Sequence, residues 1–160
     1  MKALITGASS GIGRDMARCL ANRGYDLVLV ARDEERLSQL SKELEEKNKI
    51  KVQTISMDLS VEENCKELHK CVLDVDILIN NAGFGLFGLT TETNLYRELE
   101  MINLNIKAVH ILTKLFLQDF YQKDKGRILN VASSAGFLAG PRLNTYYATK
   151  NYVLKFTLAI

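Results

Sequence analysis

The strongest constraint on this chain is its rhythm. Short apolar runs at residues 3–5, 27–31, 52–55, 75–79 and 128–131 alternate with longer amphipathic stretches near 12–23, 34–48, 62–71 and 93–122. The short runs are rich in Val, Ile and Leu and apolar on both faces, as parallel strands covered by helices are. The third is the exception, because KVQTIS also reads as an alternating, half-exposed strand. Five strand–helix steps predict a parallel sheet with helices on both faces. Right-handed crossovers favour a doubly wound, three-layer α/β/α arrangement. In such sheets ligands bind outside the carboxyl ends of the strands, where the strand order reverses. The residues that follow each strand are therefore the functional candidates.

The 160 residues predict a single domain, 1–160, able to bury one substantial core. A net charge of +2 is too small to indicate nucleic acid or an anionic membrane surface as a partner. The apolar runs are strand-sized, so no membrane span is expected, and MKALITGASSG lacks the apolar core of a signal peptide. Cys19, Cys65 and Cys71 are odd in number and fit no disulfide framework. These features lead to the expectation of a cytoplasmic protein. Cys65 and His69 would share a helix face, but Cys71 would point elsewhere, so the group reads as helix packing and no metal site is predicted. His110 falls in a long helical pattern and reads as structural.

After the first run comes Thr6-Gly7-Ala8-Ser9-Ser10-Gly11-Ile12-Gly13, leading into a helix. Glycines allow a tight turn and close backbone approach to a phosphate, and the helix N-terminus offers free N–H groups. After the second run comes Ala31-Arg32-Asp33. Arg32 suits a ribose 2′-phosphate, whereas Asp33 can cap the helix that follows. Later runs end in Met57-Asp58-Leu59-Ser60, Asn80-Asn81-Ala82-Gly83 and Ala132-Ser133-Ser134-Ala135-Gly136. Any one of these is ordinary turn chemistry. Together they place polar clusters along one edge of one sheet. Near the end, Tyr146 and Tyr147 stand four and three residues before Lys150. On a helix either tyrosine shares a face with the lysine, so spacing leaves both open.

TGASSGIG at 6–13, NNAG at 80–83, Ser133 and Tyr146-x-x-x-Lys150 together resemble the classical short-chain dehydrogenases/reductases. The match runs through the whole chain in the family's order. The resemblance implies a Rossmann-type fold and a role for each matched position. Gly7, Ser9, Ser10, Gly11, Ile12 and Gly13 would form the coenzyme's phosphate turn. Asp58 and Leu59 would lie against the adenine. Asn80, Ala82 and Gly83 would line the adenosine side and stabilise the sheet. The catalytic tetrad would map to Asn103, Ser133, Tyr146 and Lys150, with Asn105 the competitor of Asn103. The family's serine-to-tyrosine spacing selects Ser133 over Ser134, and its pattern selects Tyr146 over Tyr147.

The chemistry implied is hydride transfer between a nicotinamide and a carbonyl or secondary alcohol. Tyrosine, with a free pKa of ~10, is a poor acid–base catalyst at neutral pH. A cation one turn away favours the phenolate, and Lys150 would supply it while holding the nicotinamide ribose. Ser133 would bind the substrate oxygen, and Asn103 would complete a proton path through water. Arg32 beside Ala31 leads to a preference for NADP(H) over NAD(H). The partners implied are a small carbonyl or alcohol substrate and, through the long helices, a second copy of the chain. The family continues past Ile160 with two more strands and a segment that closes over substrate, so the chain resembles the N-terminal portion of such an enzyme. The alternatives are a dinucleotide-binding module without catalysis, which would bind NADPH without consuming it, and an extended-type epimerase. The Gly7–Gly11 spacing and NNAG argue against the latter.

Overall fold

Five parallel strands form one sheet in the order β3-β2-β1-β4-β5. They are β1 (Lys2–Thr6), β2 (Asp26–Ala31), β3 (Val52–Ser56), β4 (Ile77–Asn80) and β5 (Arg127–Asn130) in a computed structural model that describes residues 1–160. β1 lies at the centre, with Ala3 opposite Leu27 on one side and Ile77 on the other. The chain walks outward from β1 to β3, then crosses back to place β4 on the free side of β1. That reversal opens a crevice between the carboxyl ends of β1 and β4.

Side chains of a strand alternate between faces, so each inner strand feeds two cores. Ala3, Ile5, Leu27 and Leu29 pack with Ala17, Leu37, Leu40 and Leu44 from α1 (Gly11–Ala21) and α2 (Glu34–Asn48). Leu4, Val28, Val30 and Leu78 pack on the other face with Cys65, Leu68, Leu112 and Phe116. These come from α3 (Glu62–Cys71) and from α5 (Val109–Gln122), which follows α4 (Leu95–Ile102). Full burial of one such side chain stabilises by about 1.5–3 kcal/mol. A one-residue slip would exchange the two faces, which is why the register is unambiguous.

The third and fifth strands are the edges. β3 is half-exposed, in keeping with the alternating pattern of KVQTIS. β5 pairs only with β4, and Leu129 on it is exposed. β4 begins two residues later than its apolar run, and Asp76 just before it is tied to both neighbours: its carboxylate accepts from the Lys2 amide at 2.9 Å, its amide donates to the Lys2 carbonyl at 2.8 Å, and its carbonyl accepts from the Arg127 amide at 3.0 Å. Asp33 caps α2, accepting from the Arg36 amide at 3.0 Å. The helical pattern of residues 93–122 is interrupted at its middle. Asn103–Ala108 is a π-helical segment between α4 and α5. α6 (Asn144–Ala159) runs alongside it, with Thr149, Lys150 and Val153 buried. No helix is long and apolar enough to cross a membrane.

Candidate active site

The crevice at the strand ends is a cleft of about 650 Å³, lined from the β1 turn at one end to Ser133, Tyr146 and Lys150 at the other. Its floor begins with the glycine turn. Gly7 and Gly11 have φ of 66° and 52°, the left-handed region that side chains resist. A Cβ on Gly7 would lie 2.8 Å from the Ala82 Cα, so the turn is pressed against the β4 loop. A Cβ on Gly11 would meet nothing within 4 Å, because open cleft lies above it. Ser10 stands at the N-cap of α1 without capping it, and no acid occupies the first turn. The first N–H groups of α1 are thus left for an outside anion. This cradle fits the pyrophosphate of a dinucleotide.

Thr6 joins the two sides of the crevice. Its Oγ1 accepts from the Asn81 and Ala82 amides, both at 3.0 Å, and the Asn81 side-chain amide donates to the Thr6 and Gly7 carbonyls at 3.0 and 3.2 Å. At the far end of β2, Arg32, Asp33 and Arg36 line the cleft with Asp58 and Leu59. Asp58 closes its own turn by accepting from the Ser60 amide and hydroxyl at 2.9 and 2.7 Å.

At the opposite end the two tyrosines separate. A Cβ on Gly85 would lie 3.2 Å from Tyr146 Cδ2, so Tyr146 covers the loop after β4 and lines the cleft. A Cβ on Gly140 would lie 2.9 Å from Tyr147 Cζ, so Tyr147 packs away on the loop before α6. Lys150 is 7% exposed, and its Nζ donates to the Val131 carbonyl at 2.9 Å. That nitrogen lies 5.9 Å from the centre of the Tyr146 ring. Burial alone pushes the lysine pKa below its ordinary value, since the ammonium loses water without a carboxylate to replace it. Ser133 accepts from the Ala135 amide at 3.1 Å, which anchors its hydroxyl at the start of a short 3-10 turn, Ser134–Phe137.

The asparagine beside the lysine is Asn105, not Asn103. Asn105 is buried, and a Cβ on Gly83 would lie 2.9 Å from its Oδ1 and 3.6 Å from Lys150 Nζ. Its Oδ1 accepts from the Phe84 amide at 3.1 Å, and its Nδ2 donates to the Phe84 carbonyl at 2.9 Å. Asn105 shares the buried side of this stretch with Met101, Ala108 and Leu112, at helical spacing from them, whereas Asn103 does not. Two further residues do not line the cleft, although Asn80 does stabilise the sheet as the resemblance implied. Asn80 turns away from the cleft into the core, where its Nδ2 donates to Thr113 Oγ1 at 3.0 Å and Asn130 Oδ1 at 2.8 Å. Gly13 is buried beneath the turn; a Cβ there would lie 2.3 Å from the Gly7 carbonyl oxygen. Gly7, Ser9, Ser10, Gly11, Ile12, Arg32, Asp58, Leu59, Ala82 and Gly83 all line the cleft.

The model of the short chain dehydrogenase family matches residues 1–160, the whole chain. The chain belongs to the short-chain dehydrogenase family. Human very-long-chain 3-oxoacyl-CoA reductase is 35% identical over 159 residues, covering 94% of this chain and 50% of the reductase. An oxidoreductase from Staphylococcus saprophyticus is 35% identical over 159 residues, covering 97% of this chain and 68% of its own length. The chain spans about half the length of the very-long-chain reductases it matches. Among solved structures, the bulky-bulky ketone specific alcohol dehydrogenase from Comamonas testosteroni superposes with a TM-score of 0.94 and 37% identity, covering 99% of this chain and 65% of that one. A short-chain dehydrogenase from Sphingobium yanoikuyae, solved in complex with NADPH, gives a TM-score of 0.94 and 35% identity, covering 99% and 63%.

The cleft also has lining residues that the sequence motifs did not single out. Asn81, Gly85, Leu104 and Met57 line the cleft. Asn81 belongs to the NNAG turn, next to Asn80. Cys65 is buried in the core with its Sγ donating to the Leu59 carbonyl, and His69 meets Asp119 at 2.8 Å instead of a cysteine.

Proposed function

We propose that this protein is an NADP(H)-dependent oxidoreductase acting on a carbonyl or secondary alcohol. The observation that carries the reading is the meeting, in one cleft, of an anion-ready glycine turn with Ser133, Tyr146 and Lys150. The residues that would hold the coenzyme are the turn from Gly7 to Ile12, Asp58 and Leu59 at the adenine, and Lys150 at the nicotinamide ribose. Arg32 at the β2 end supports the choice of NADP(H), as does the NADPH-bound relative. When bound, the coenzyme supplies the hydride.

The chain's own residues handle the oxygen. Ser133 donates a hydrogen bond to the substrate carbonyl and fixes its distance from Tyr146. Tyr146 gives its phenolic proton to the oxyanion as it forms. Lys150, held by Val131 on one side and facing Tyr146 on the other, keeps a positive charge beside the phenolate that results. Asn105 takes the tetrad role first assigned to Asn103. Supporting this, it ties the Phe84 backbone next to Lys150 and so fixes the wall of the proton path. The exposed side chains of Phe87, Phe137 and Leu138 on the loops beside Tyr146 support an apolar carbonyl compound as substrate. We further propose self-association of the complete protein along α5 and α6, supported by exposed Leu117, Tyr121 and Leu158.

The test is consumption of NADPH across a panel of apolar ketones. Tyr146→Phe is expected to lose turnover by about 10²–10⁴-fold while still binding NADPH, and Tyr147→Phe to keep most of it. A Tyr146→Phe enzyme with undiminished turnover would remove Tyr146 from the mechanism. Binding without consumption by the wild type would leave a coenzyme-binding module.

A further inference from the structure

The arginine at the end of β2 is not free. Arg32 Nη1 lies 3.2 Å from Glu100 Oε1, on α4 and 68 residues away in the chain. Glu100 is the more enclosed partner, its side chain 25% exposed against 60% for Arg32. Its second oxygen, Oε2, accepts from Arg97 Nη1. Arg97 in turn lies over the Phe84 ring, 4.9 Å from guanidinium carbon to ring centre. Glu100 is therefore held from two sides, whereas Arg32 is the partner free to swing. The other cleft arginine at this end, Arg36, is paired with Asp33 at 3.2 Å.

We infer that Glu100 is a specificity-determining residue that limits the preference for a 2′-phosphate by competing with it for Arg32. The inference rests on the reading of this cleft as a dinucleotide site. A 2′-phosphate, a dianion near neutral pH, must draw the guanidinium away from a carboxylate already bound to it. It must also settle within a few ångströms of that carboxylate, where like charges repel. A ribose 2′-hydroxyl makes neither demand. Glu100 thus weakens binding of the phosphorylated coenzyme and leaves the unphosphorylated one alone. Arg97 moderates the effect by sharing the carboxylate.

The experiment is calorimetric titration of the full chain with adenosine 2′,5′-bisphosphate and with adenosine 5′-monophosphate, two probes that differ only in the 2′-phosphate. The wild type is expected to bind the bisphosphate more tightly. Glu100→Gln is expected to tighten the bisphosphate by about threefold and to leave the monophosphate unchanged, the range of a partly exposed ion pair. In an Arg32→Ala background the same substitution is expected to do nothing, because its effect runs through Arg32. Should Glu100→Gln not fold, Glu100→Asp serves, since the shorter side chain retreats from Arg32. It is expected to give a smaller gain of the same sign. An unchanged ratio in Glu100→Gln, with the wild type still preferring the bisphosphate, would overturn the inference alone. An equal gain in the Arg32→Ala background would also overturn it, leaving only a diffuse charge effect. A wild type without preference for the bisphosphate would overturn the coenzyme reading and this inference together.

Discussion

Asn105 donates to Thr149 Oγ1 at 3.1 Å, joining the π-helical segment to α6 at the point where Lys150 enters the cleft. Asn105 also holds the Phe84 amide and carbonyl, so one buried side chain ties three segments of the site together. Thr149 passes the link on by donating to the Tyr146 carbonyl at 2.8 Å. Removing Asn105 would leave buried partners unsatisfied. Asn105→Ala is expected to lower stability by about 2–3 kcal/mol, and Asn103→Ala, which no side-chain hydrogen bond holds, by less than about 0.5 kcal/mol. Urea unfolding of the two variants checks this. Equal losses would return Asn103 to consideration.

Gly13 and Gly11 predict different failures. A Cβ on Gly13 points at the Gly7 carbonyl oxygen, 2.3 Å away, and backbone on both sides must shift to admit it. Gly13→Ala is expected to cost about 1–3 kcal/mol in stability and to distort the turn above it. Gly11→Ala has open space but a φ of 52°, so strain of about 1 kcal/mol comes without a clash. Thermal unfolding should order the variants with Gly13→Ala lower. The reverse order would mean that the turn rests on conformation and not on packing.

Lys150 ties function to instability. Burial holds its folded-state pKa below the 10.5 of an unfolded chain. Between those two values the unfolded state binds more protons, so the lysine's contribution makes stability rise with pH there. Below the folded value the cost of burying the ammonium is complete. Lys150→Met is therefore expected to be more stable than the wild type near neutral pH and to lose turnover. The stability gap should narrow as pH rises toward 10.5. Denaturation curves for both proteins at about pH 7 and about pH 10 measure it. Parallel pH dependences would show that the buried charge costs nothing.

The three thiols should divide in two. Cys65 is pushed up to about 11 by burial, with the Glu62 and Asp58 carboxylates adding to the effect. Cys19 and Cys71 are exposed. Since the thiolate is the reactive form, a thiol reagent near neutral pH is expected to modify Cys19 and Cys71 promptly and Cys65 only on unfolding. Mass spectrometry of the native protein after brief labelling decides it, and rapid labelling of Cys65 would mean that α3 opens from the sheet.

Much of this architecture was legible because strands and helices carry different periods. Alternation of short apolar runs with amphipathic ones implied a parallel sheet, and the turn residues after each run marked its carboxyl edge. The local geometry of the glycine turn followed from residue type alone, as did the cap at Asp33. The reading failed at Asn103, which the resemblance preferred to Asn105 on a short motif match. Met101, Asn105, Ala108 and Leu112 share the buried side of the stretch, so Asn105 is the one that meets the sheet. Asn80 meets half of its expectation, since it stabilises the sheet by bonding Asn130 on β5 but does not line the cleft. Its motif is sound, but which neighbour of a pair faces ligand and which faces core depends on what lies behind β4, here Thr113 and Asn130.

The amino-acid sequence by itself determined the element order, the parallel sheet and the phosphate-ready turn after β1. These rest on periodicity and steric freedom at glycine, both local properties. Spacing left Tyr146 and Tyr147 open and the motif resemblance favoured Tyr146, which the fold places in the cleft; tertiary structure alone decided that Asn105 backs Lys150 and that Arg32 is bound to Glu100 across 68 residues. Each of those outcomes depends on which distant segment a side chain meets after the sheet has closed. Residue type limits the possible partners, but only the packed fold brings one of them within reach.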